Sequence, residues 1–131
     1  MQKLILIGIA ALTAMLMALA PAALAGGNKG GDPIIKRGKC SVSSSWKLKA
    51  KADDGRIETE FEVDQNRNGR RWRVALKRNG STVFSGIRTT VAPSGSFSVR
   101  RLLAGPAGSS RIVATAKALR GGETCTAVLA L

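Results

Sequence analysis

The sequence has no histidine and no tyrosine, and its aromatic side chains are limited to three phenylalanines and two tryptophans. Without histidine, the Ser-His and Cys-His pairs that activate a nucleophile cannot be assembled. Two cysteines without histidine also provide too few soft ligands for a zinc site. We therefore expect a protein that is not an enzyme and that carries no cofactor.

Acidic residues are scarce as well, with 8 aspartates and glutamates against 21 lysines and arginines and a net charge of +13. A chain with such an excess of positive charge attracts anionic partners over a range of distances. The same charge also keeps a protein from self-association, so its placement has to be considered before a ligand is inferred.

The N-terminus has the three parts of a secretory signal peptide. Lys3 precedes an uncharged apolar run over residues 4–20, and Pro21 is followed by the small-x-small pattern Ala23-Leu24-Ala25. The alternative is a membrane anchor, since the run comes close to the roughly 20 residues that span a bilayer, but no basic stop-transfer cluster follows it directly. We predict cleavage after residue 25, secretion, and no membrane span in the mature chain.

Export changes how the two cysteines are interpreted. In an oxidising compartment Cys40 and Cys125 are expected to form a disulfide bond, since no third cysteine competes for either. Residues 26–38 are rich in glycine, carry several charges and show no hydrophobic period, which predicts a flexible leader. A single domain is therefore expected over residues 39–131.

The clearest structural prediction is a β-hairpin at Asp54-Gly55, a dipeptide typical of type I′ turns. The residues on both sides alternate between apolar and charged side chains, as in half-buried strands. A two-residue loop pairs three lysines with three glutamates on one face, whereas a one-residue slip would put every charge in the core. The predicted partners are Lys47 and Glu62, Lys49 and Glu60, Lys51 and Glu58, Leu48 and Phe61, and Trp46 and Val63.

A second hairpin is predicted at Asn79-Gly80, and its two-residue loop would place Arg71 opposite Arg88. Later alternation and turn signals, such as Gly121-Gly122, mark three further strands. The pattern as a whole predicts an all-β domain of seven short antiparallel strands arranged as a β-sandwich.

The order of the hairpins resembles the immunoglobulin-like and fibronectin type III-like sandwich over about residues 39–131, because strands 1–2, 3–4 and 6–7 are closely coupled and strand 5 stands alone. Trp72 resembles the core tryptophan of immunoglobulin strand C. The signal peptide, Gly-rich leader, terminal cysteines and Asp-Asp-Gly-Arg-Ile segment are similar to small uncharacterised secreted proteins of actinobacteria. The resemblance implies that Cys40 and Cys125 lie at one end of the sandwich, and it implies no activity.

Residues 64–69 match the opening of a calcium-binding loop, with Asp64, Asn66 and Asn68 as weak candidate ligands. The position of the bidentate glutamate is instead occupied by Ala75, and arginines in the same segment would repel a divalent cation. We therefore expect a polar turn here and no metal site.

The basic residues of the second hairpin have no acidic partners nearby, unlike the lysines of the first hairpin. In a fibronectin-like arrangement they would share one outer face with a lysine of strand 6. The predicted anion-binding residues are Arg71, Arg73, Lys77, Phe84, Arg88 and Lys117. Guanidinium groups suit phosphate and carboxylate, and a phenylalanine adds stacking or apolar contact.

We therefore expect a secreted binding or surface-associated module for an extracellular polyanion, such as a cell-envelope polymer, an anionic lipid or a nucleic acid. Two alternatives remain at this stage. The charge can serve solubility alone, or the protein can be a secreted inhibitor that docks a protein target through its loops or an edge strand.

Overall fold

A computed structural model describes residues 31–105 and 110–131. The predicted signal peptide and the first part of the predicted leader lie outside these residues. The described part of the chain contains strands and turns and no helix, so none of its elements is a helix able to cross a bilayer. The strands are β1 (Ile34–Lys39), β2 (Ser45–Asp53), β3 (Arg56–Asp64), β4 (Arg71–Arg78), β5 (Ser81–Thr89), β6 (Ser96–Leu103), β7 (Arg111–Ala118) and β8 (Thr124–Ala130).

The strands form two four-stranded antiparallel sheets. The first sheet has the order β1-β2-β3-β6 and the second has the order β5-β4-β7-β8. In both sheets, alternate side chains point inward to one shared core that contains Trp72, Phe61, Leu48 and Leu76, all fully buried. The prediction of an all-β antiparallel domain is confirmed, and the seven predicted strands correspond to β2–β8.

The additional strand, β1, begins at Ile34 and so lies mostly within the segment for which we predicted a flexible leader. It pairs with β2 from Ile34 opposite Ala50 to Lys39 opposite Ser45. A Cβ atom at Gly38 would lie 2.4 Å from the Trp46 ring, so only glycine lets the indole pack against the strand. The alternation rule missed β1 because it is an edge strand whose side chains are almost all exposed.

The first hairpin has the predicted register, and all five predicted pairs of β2 and β3 are opposite one another. Its turn residues Asp54 and Gly55 have φ values of 50° and 74°, the left-handed geometry of a type I′ turn. The complementary charges on one face and the apolar pairs on the other were therefore sufficient to predict this register.

The register predicted for the second hairpin is wrong over most of its length. Arg78 lies opposite Ser81 and Lys77 opposite Thr82, as a two-residue loop at Asn79-Gly80 requires. A β-bulge between Leu76 and Lys77 then shifts β5 by one residue. As a result Arg71 lies opposite Thr89 rather than Arg88, and Arg88 lies opposite Trp72.

The predicted disulfide is confirmed. Cys40 and Cys125 are joined by an S–S bond of 2.00 Å, which links the β1–β2 loop to β8 across a sequence separation of 85 residues. Closing a loop of this length stabilises a small domain by about 4 kcal/mol in the chain-entropy account. The loops between β1 and β2, β3 and β4, β5 and β6, and β7 and β8 all lie at this end of the sheets, which we call the disulfide end.

Candidate anion-binding surface and cavity

Charge is divided unequally between the two sheets. Every aspartate and glutamate that lies in a strand belongs to β2 or β3 of the first sheet. The four strands of the second sheet contain no carboxylate at all. The two outer faces therefore have different electrostatic character, although the chain as a whole is basic.

The outer face of the first sheet neutralises most of its own charge. Glu60 lies between Lys49 of β2 and Arg100 of β6, and the Arg100 Nε atom is 2.5 Å from the Glu60 Oε2 atom. The Glu60 side chain is only 13% exposed, so it is sheltered by its two cationic neighbours. Glu58 lies opposite Lys51 of β2 and Glu62 lies opposite Lys47 of the same strand.

The outer face of the second sheet carries five cations without an acidic neighbour in its strands. Arg73 lies directly opposite Lys117, a like-charge pair that costs stability in isolation. We call these five residues the basic face: Arg71, Arg73, Lys77, Arg111 and Lys117. Four of the six predicted residues are thus on one surface, and Arg111 joins them because it continues the exposed alternation of β7.

Phe84 and Arg88 do not belong to this surface. The bulge in β5 places Phe84 opposite the buried Leu76 and Arg88 opposite the buried Trp72. The side chains of Phe84 and Arg88 therefore lie on the inner side of the sheet, at its edge. The Arg88 guanidinium carbon lies 4.8 Å from the centre of the Phe84 ring, and that of Arg101 on β6 lies 4.3 Å from it. This stack joins the edges of the two sheets, and charges that point inward at edge strands discourage pairing with other chains.

The loop between β3 and β4 is held by a buried threonine of the β5–β6 loop. The backbone N–H of Arg70 donates to the Thr90 hydroxyl at 2.9 Å, and the Thr90 hydroxyl donates to the carbonyl oxygen of Arg67. Backbone bonds from Gly69 to Thr90 and from Thr90 to Arg70, both 2.8 Å, complete the contact. A Cβ at Gly95 would lie 2.3 Å from the Arg67 nitrogen, so the two loops are in close backbone contact.

The calcium-loop candidates are Asp64, the last residue of β3, and Asn66 and Asn68 of this loop. The Asp64 Oδ1 atom accepts a hydrogen bond of 2.9 Å from the backbone N–H of Asn66, and Asn66 has a φ of 56°. Asp64 thus closes a local turn of the kind that Asp and Asn commonly form. Asn68 is exposed, and the prediction of a polar turn accounts for all three residues.

A cavity of about 580 Å³ opens between the β3–β4 loop and the β7–β8 loop at the disulfide end. Its charged lining is entirely cationic, with four guanidinium groups and no carboxylate. The lining residues that matter here are Gln65, Arg67, Arg70, Arg71, Leu119 and Arg120. Sequence reasoning found only Arg71 of this set, because the cavity is formed by two loops that are about 50 residues apart in the chain.

No protein-family model matches the chain, and comparison with curated proteins and with solved structures finds no similarity that is significant. Function is therefore argued from the geometry of the described residues.

One carboxylate at the disulfide end is used by the fold. Glu123 is buried, and its Oε2 atom accepts hydrogen bonds from the N–H groups of Val42, Ser43 and Ser44 at 3.1, 2.8 and 2.8 Å. Its Oε1 atom accepts a bond of 2.7 Å from the Ser44 hydroxyl. Burial alone would raise the pKa of Glu123, but these hydrogen bonds outweigh it and hold the pKa below its ordinary value.

Glu123 was not singled out from the sequence, although it is the only acidic residue in the chain after Asp64. A single carboxylate among the basic residues of the C-terminal half was the feature of the sequence that could have identified Glu123 as a structural residue. Among the described residues, the hydrogen bonds of the Glu123 carboxylate all go to the β1–β2 loop, and it forms no ion pair with an arginine.

Proposed function

We propose that the mature chain is a secreted, non-enzymatic binding module whose basic face takes extracellular anionic polymers. The observation that carries the proposal is the set of five cations on the outer face of a sheet whose strands contain no carboxylate. The non-enzymatic part rests on the lack of histidine in the whole sequence.

The same proposal includes the fold type and the compartment. The strand orders β2-β3-β6 and β5-β4-β7-β8 suit an immunoglobulin-like or fibronectin type III-like β-sandwich, with β1 added at one edge. A disulfide between Cys40 and Cys125 suits an oxidising compartment outside the cytoplasm, as does the predicted signal peptide. The similarity to small secreted actinobacterial proteins belongs to this proposal too.

The spacing of the cations suits a polymer better than a single small ion. Alternate residues along β4 are separated by about 6.8 Å, and neighbouring strands by about 4.8 Å. Arg71, Arg73 and Lys77 therefore follow one line, with Lys117 beside Arg73 in the next strand. A chain with repeated phosphate or carboxylate groups can contact several of these cations at once and relieve their mutual repulsion.

The test is a variant in which Arg73, Lys77 and Lys117 are replaced by serine. Its binding to immobilised polyphosphate is measured across a range of salt concentrations. We expect affinity at low salt to fall about tenfold or more, and the salt dependence to flatten by about one unit of slope for each phosphate that no longer has a cationic partner. The melting temperature should stay the same or rise, because the substitutions remove the Arg73–Lys117 repulsion.

A matched control removes the same amount of charge from the first sheet by replacing Lys47, Lys49 and Lys51 with serine. These lysines face glutamates of β3, so we expect little change in polymer binding. An equal reduction of affinity in the two variants would show that only total charge matters, and the basic face would have to be abandoned. Polygalacturonate, tested in parallel, separates a preference for phosphate from one for carboxylate.

A protein target remains the competing function. It would dock through loops or an edge strand, so its binding would change little with ionic strength. Retention of a protein from the native secreted fraction at high salt, with no binding of polyphosphate at low salt, would favour this function over the basic face.

A further inference from the structure

We infer that the arginine-lined cavity at the disulfide end binds a single phosphate monoester carried on a sugar or polyol unit. The cavity shares Arg71 with the basic face, so the inference deepens the proposed function and rests on it for the identity of the ligand as part of an anionic polymer. In this arrangement the polymer lies along the second sheet, and its phosphorylated end or branch enters the cavity.

The first support is that four guanidinium groups surround one cavity and that none of them is engaged by another side chain among the described residues. Three arginine side chains elsewhere in the domain contact other side chains. Arg78 donates to the Ser110 hydroxyl, Arg88 contacts an aromatic ring, and Arg100 pairs with Glu60. Within residues 31–105 and 110–131, no side-chain hydrogen bond or ion pair is made by the arginines of the cavity, Arg67, Arg70, Arg71 and Arg120. Exposed arginines of the strands such as Arg73 and Arg111 share this property, and what distinguishes the four is that they surround one cavity.

The second support is that the loops carrying these arginines are fixed before any ligand arrives. Thr90 holds the backbone of Arg67 and Arg70 through its hydroxyl group. The N–H of Leu119 donates to the carbonyl oxygen of Arg71 at 3.0 Å, which joins the β7–β8 loop to the start of β4. Because the backbone is already fixed, an anion would bind without the entropic cost of ordering a loop, and only the arginine side chains would have to be ordered.

The third support is that the polar side chains of the lining offer donors to a ligand. The Trp72 Nε1–H group can only donate, and it donates to the Gln65 Oε1 atom at 3.0 Å. That bond fixes which end of the Gln65 amide is the oxygen, so the NH₂ group of Gln65 is the end that can donate to a ligand. A site with guanidinium and amide donors favours a group that only accepts hydrogen bonds, as a phosphate dianion does.

Size and composition indicate more than an inorganic ion. The volume of about 580 Å³ lies within the range of roughly 300–1,000 Å³ typical of small-molecule sites. Leu119, which is 44% exposed, gives the lining an apolar surface for the carbon skeleton of a sugar or polyol. Four positive charges match a phosphate monoester, which carries about −1.5 to −2 at neutral pH, better than a singly charged carboxylate.

The test is calorimetric titration of the secreted protein with glucose 6-phosphate, with glucuronate and glucose as comparisons. We expect glucose 6-phosphate to bind at least about tenfold more tightly than glucuronate, with no measurable binding of glucose. Affinity should also rise as the pH passes upward through about 6, where the monoester takes its second negative charge. Equal affinity for glucose 6-phosphate and glucuronate would overturn the assignment to phosphate.

The variant to compare replaces Arg67 and Arg120 with serine, since both are exposed and neither side chain supports the fold. We expect about a hundredfold loss of affinity for glucose 6-phosphate, and only partial recovery when both are lysine, because lysine keeps the charge but not the forked donor geometry. Melting temperature checks that the fold is unchanged. An equal loss of affinity in the control Arg73→Ser/Lys117→Ser would overturn the cavity as the site.

The two proposals fail separately in these experiments. If glucose 6-phosphate does not bind but polyphosphate binding still depends on Arg73 and Lys117, the cavity inference is wrong and the basic face stands. If glucose 6-phosphate binds through Arg67 and Arg120 while polyphosphate binding is unchanged by substitutions on the basic face, the proposed function is wrong and the cavity inference is retained.

Discussion

Replacing Glu123 is the sharpest perturbation of the fold that the structure offers. The Glu123 carboxylate accepts four hydrogen bonds from residues 42–44, about 80 positions earlier in the chain, and it is 6% exposed. Glu123→Ala removes all four of these hydrogen bonds at once. The β1–β2 loop then remains joined to β8 by the disulfide, by the backbone bond from Ser41 to Thr124, and by the bond that the Thr124 N–H donates to the Ser41 hydroxyl.

The size of the effect follows from which donors lose their partner. The N–H and hydroxyl of Ser44 are buried, and leaving a buried donor unsatisfied costs about 1–3 kcal/mol. The N–H groups of Val42 and Ser43 are partly buried and can turn to water, at about 0.5–1.5 kcal/mol each. Together these losses amount to about 3–9 kcal/mol, and a loop that relaxes toward water lies at the low end of that range. We therefore expect Glu123→Ala to lower the free energy of unfolding by at least about 3 kcal/mol, and the melting temperature by at least about 12 °C.

The same interaction predicts a pH dependence. The folded pKa of Glu123 lies below its ordinary value near 4.5, so its contribution is complete above that pH and is lost as the pH falls through the folded pKa. Glu123→Gln keeps one acceptor oxygen but cannot titrate, so its stability should fall less steeply below pH 4.5 than that of the native protein. Thermal unfolding followed by circular dichroism between pH 2 and 7 measures both effects.

Two results would refute this reasoning about Glu123. One is a melting temperature of Glu123→Ala within about 3 °C of the native value, which would mean that water replaces the carboxylate at little cost. The other is a pair of parallel stability curves for the native protein and Glu123→Gln, which would mean that the carboxyl group has the same pKa folded and unfolded.

Two further predictions concern the edges of the domain. Replacing Cys40 and Cys125 with serine should lower the free energy of unfolding by about 4 kcal/mol, and chemical unfolding of the native and double-serine proteins checks it; a decrease under about 1 kcal/mol would mean that the loop entropy is recovered elsewhere. Gly38→Ala should cost about 1–3 kcal/mol, because the new methyl group collides with the Trp46 ring. A variant as stable as the native protein, with unchanged tryptophan fluorescence, would contradict that packing.

The sequence predicted those parts of the fold where several local signals agree. In the β2–β3 hairpin, a type I′ turn, three charge pairs and two apolar pairs all require the same register, and the structure has it. The disulfide followed from having only two cysteines, and the buried Trp72 from its place in an alternating strand.

The remaining features depend on geometry that alternation does not encode. The bulge beside Leu76 adds one residue to β5, and that single residue moves Phe84 and Arg88 off the predicted surface. β1 is exposed on both faces, so its sequence does not alternate between apolar and polar side chains. The arginine cavity needs two distant loops to be positioned by Thr90 and by the bond between Leu119 and Arg71, which only the assembled chain provides.

The most direct test of the basic face is an amide NMR titration of the protein with short polyphosphate at low salt. We expect the largest shift changes at the outward residues of β4 and β7, centred on Arg73 and Lys117, and we expect added salt to reverse them. The amides of β2 and β3 should change little, because their lysines already face glutamates. Changes spread evenly over both sheets, or confined to β2 and β3, would contradict a binding surface on the second sheet.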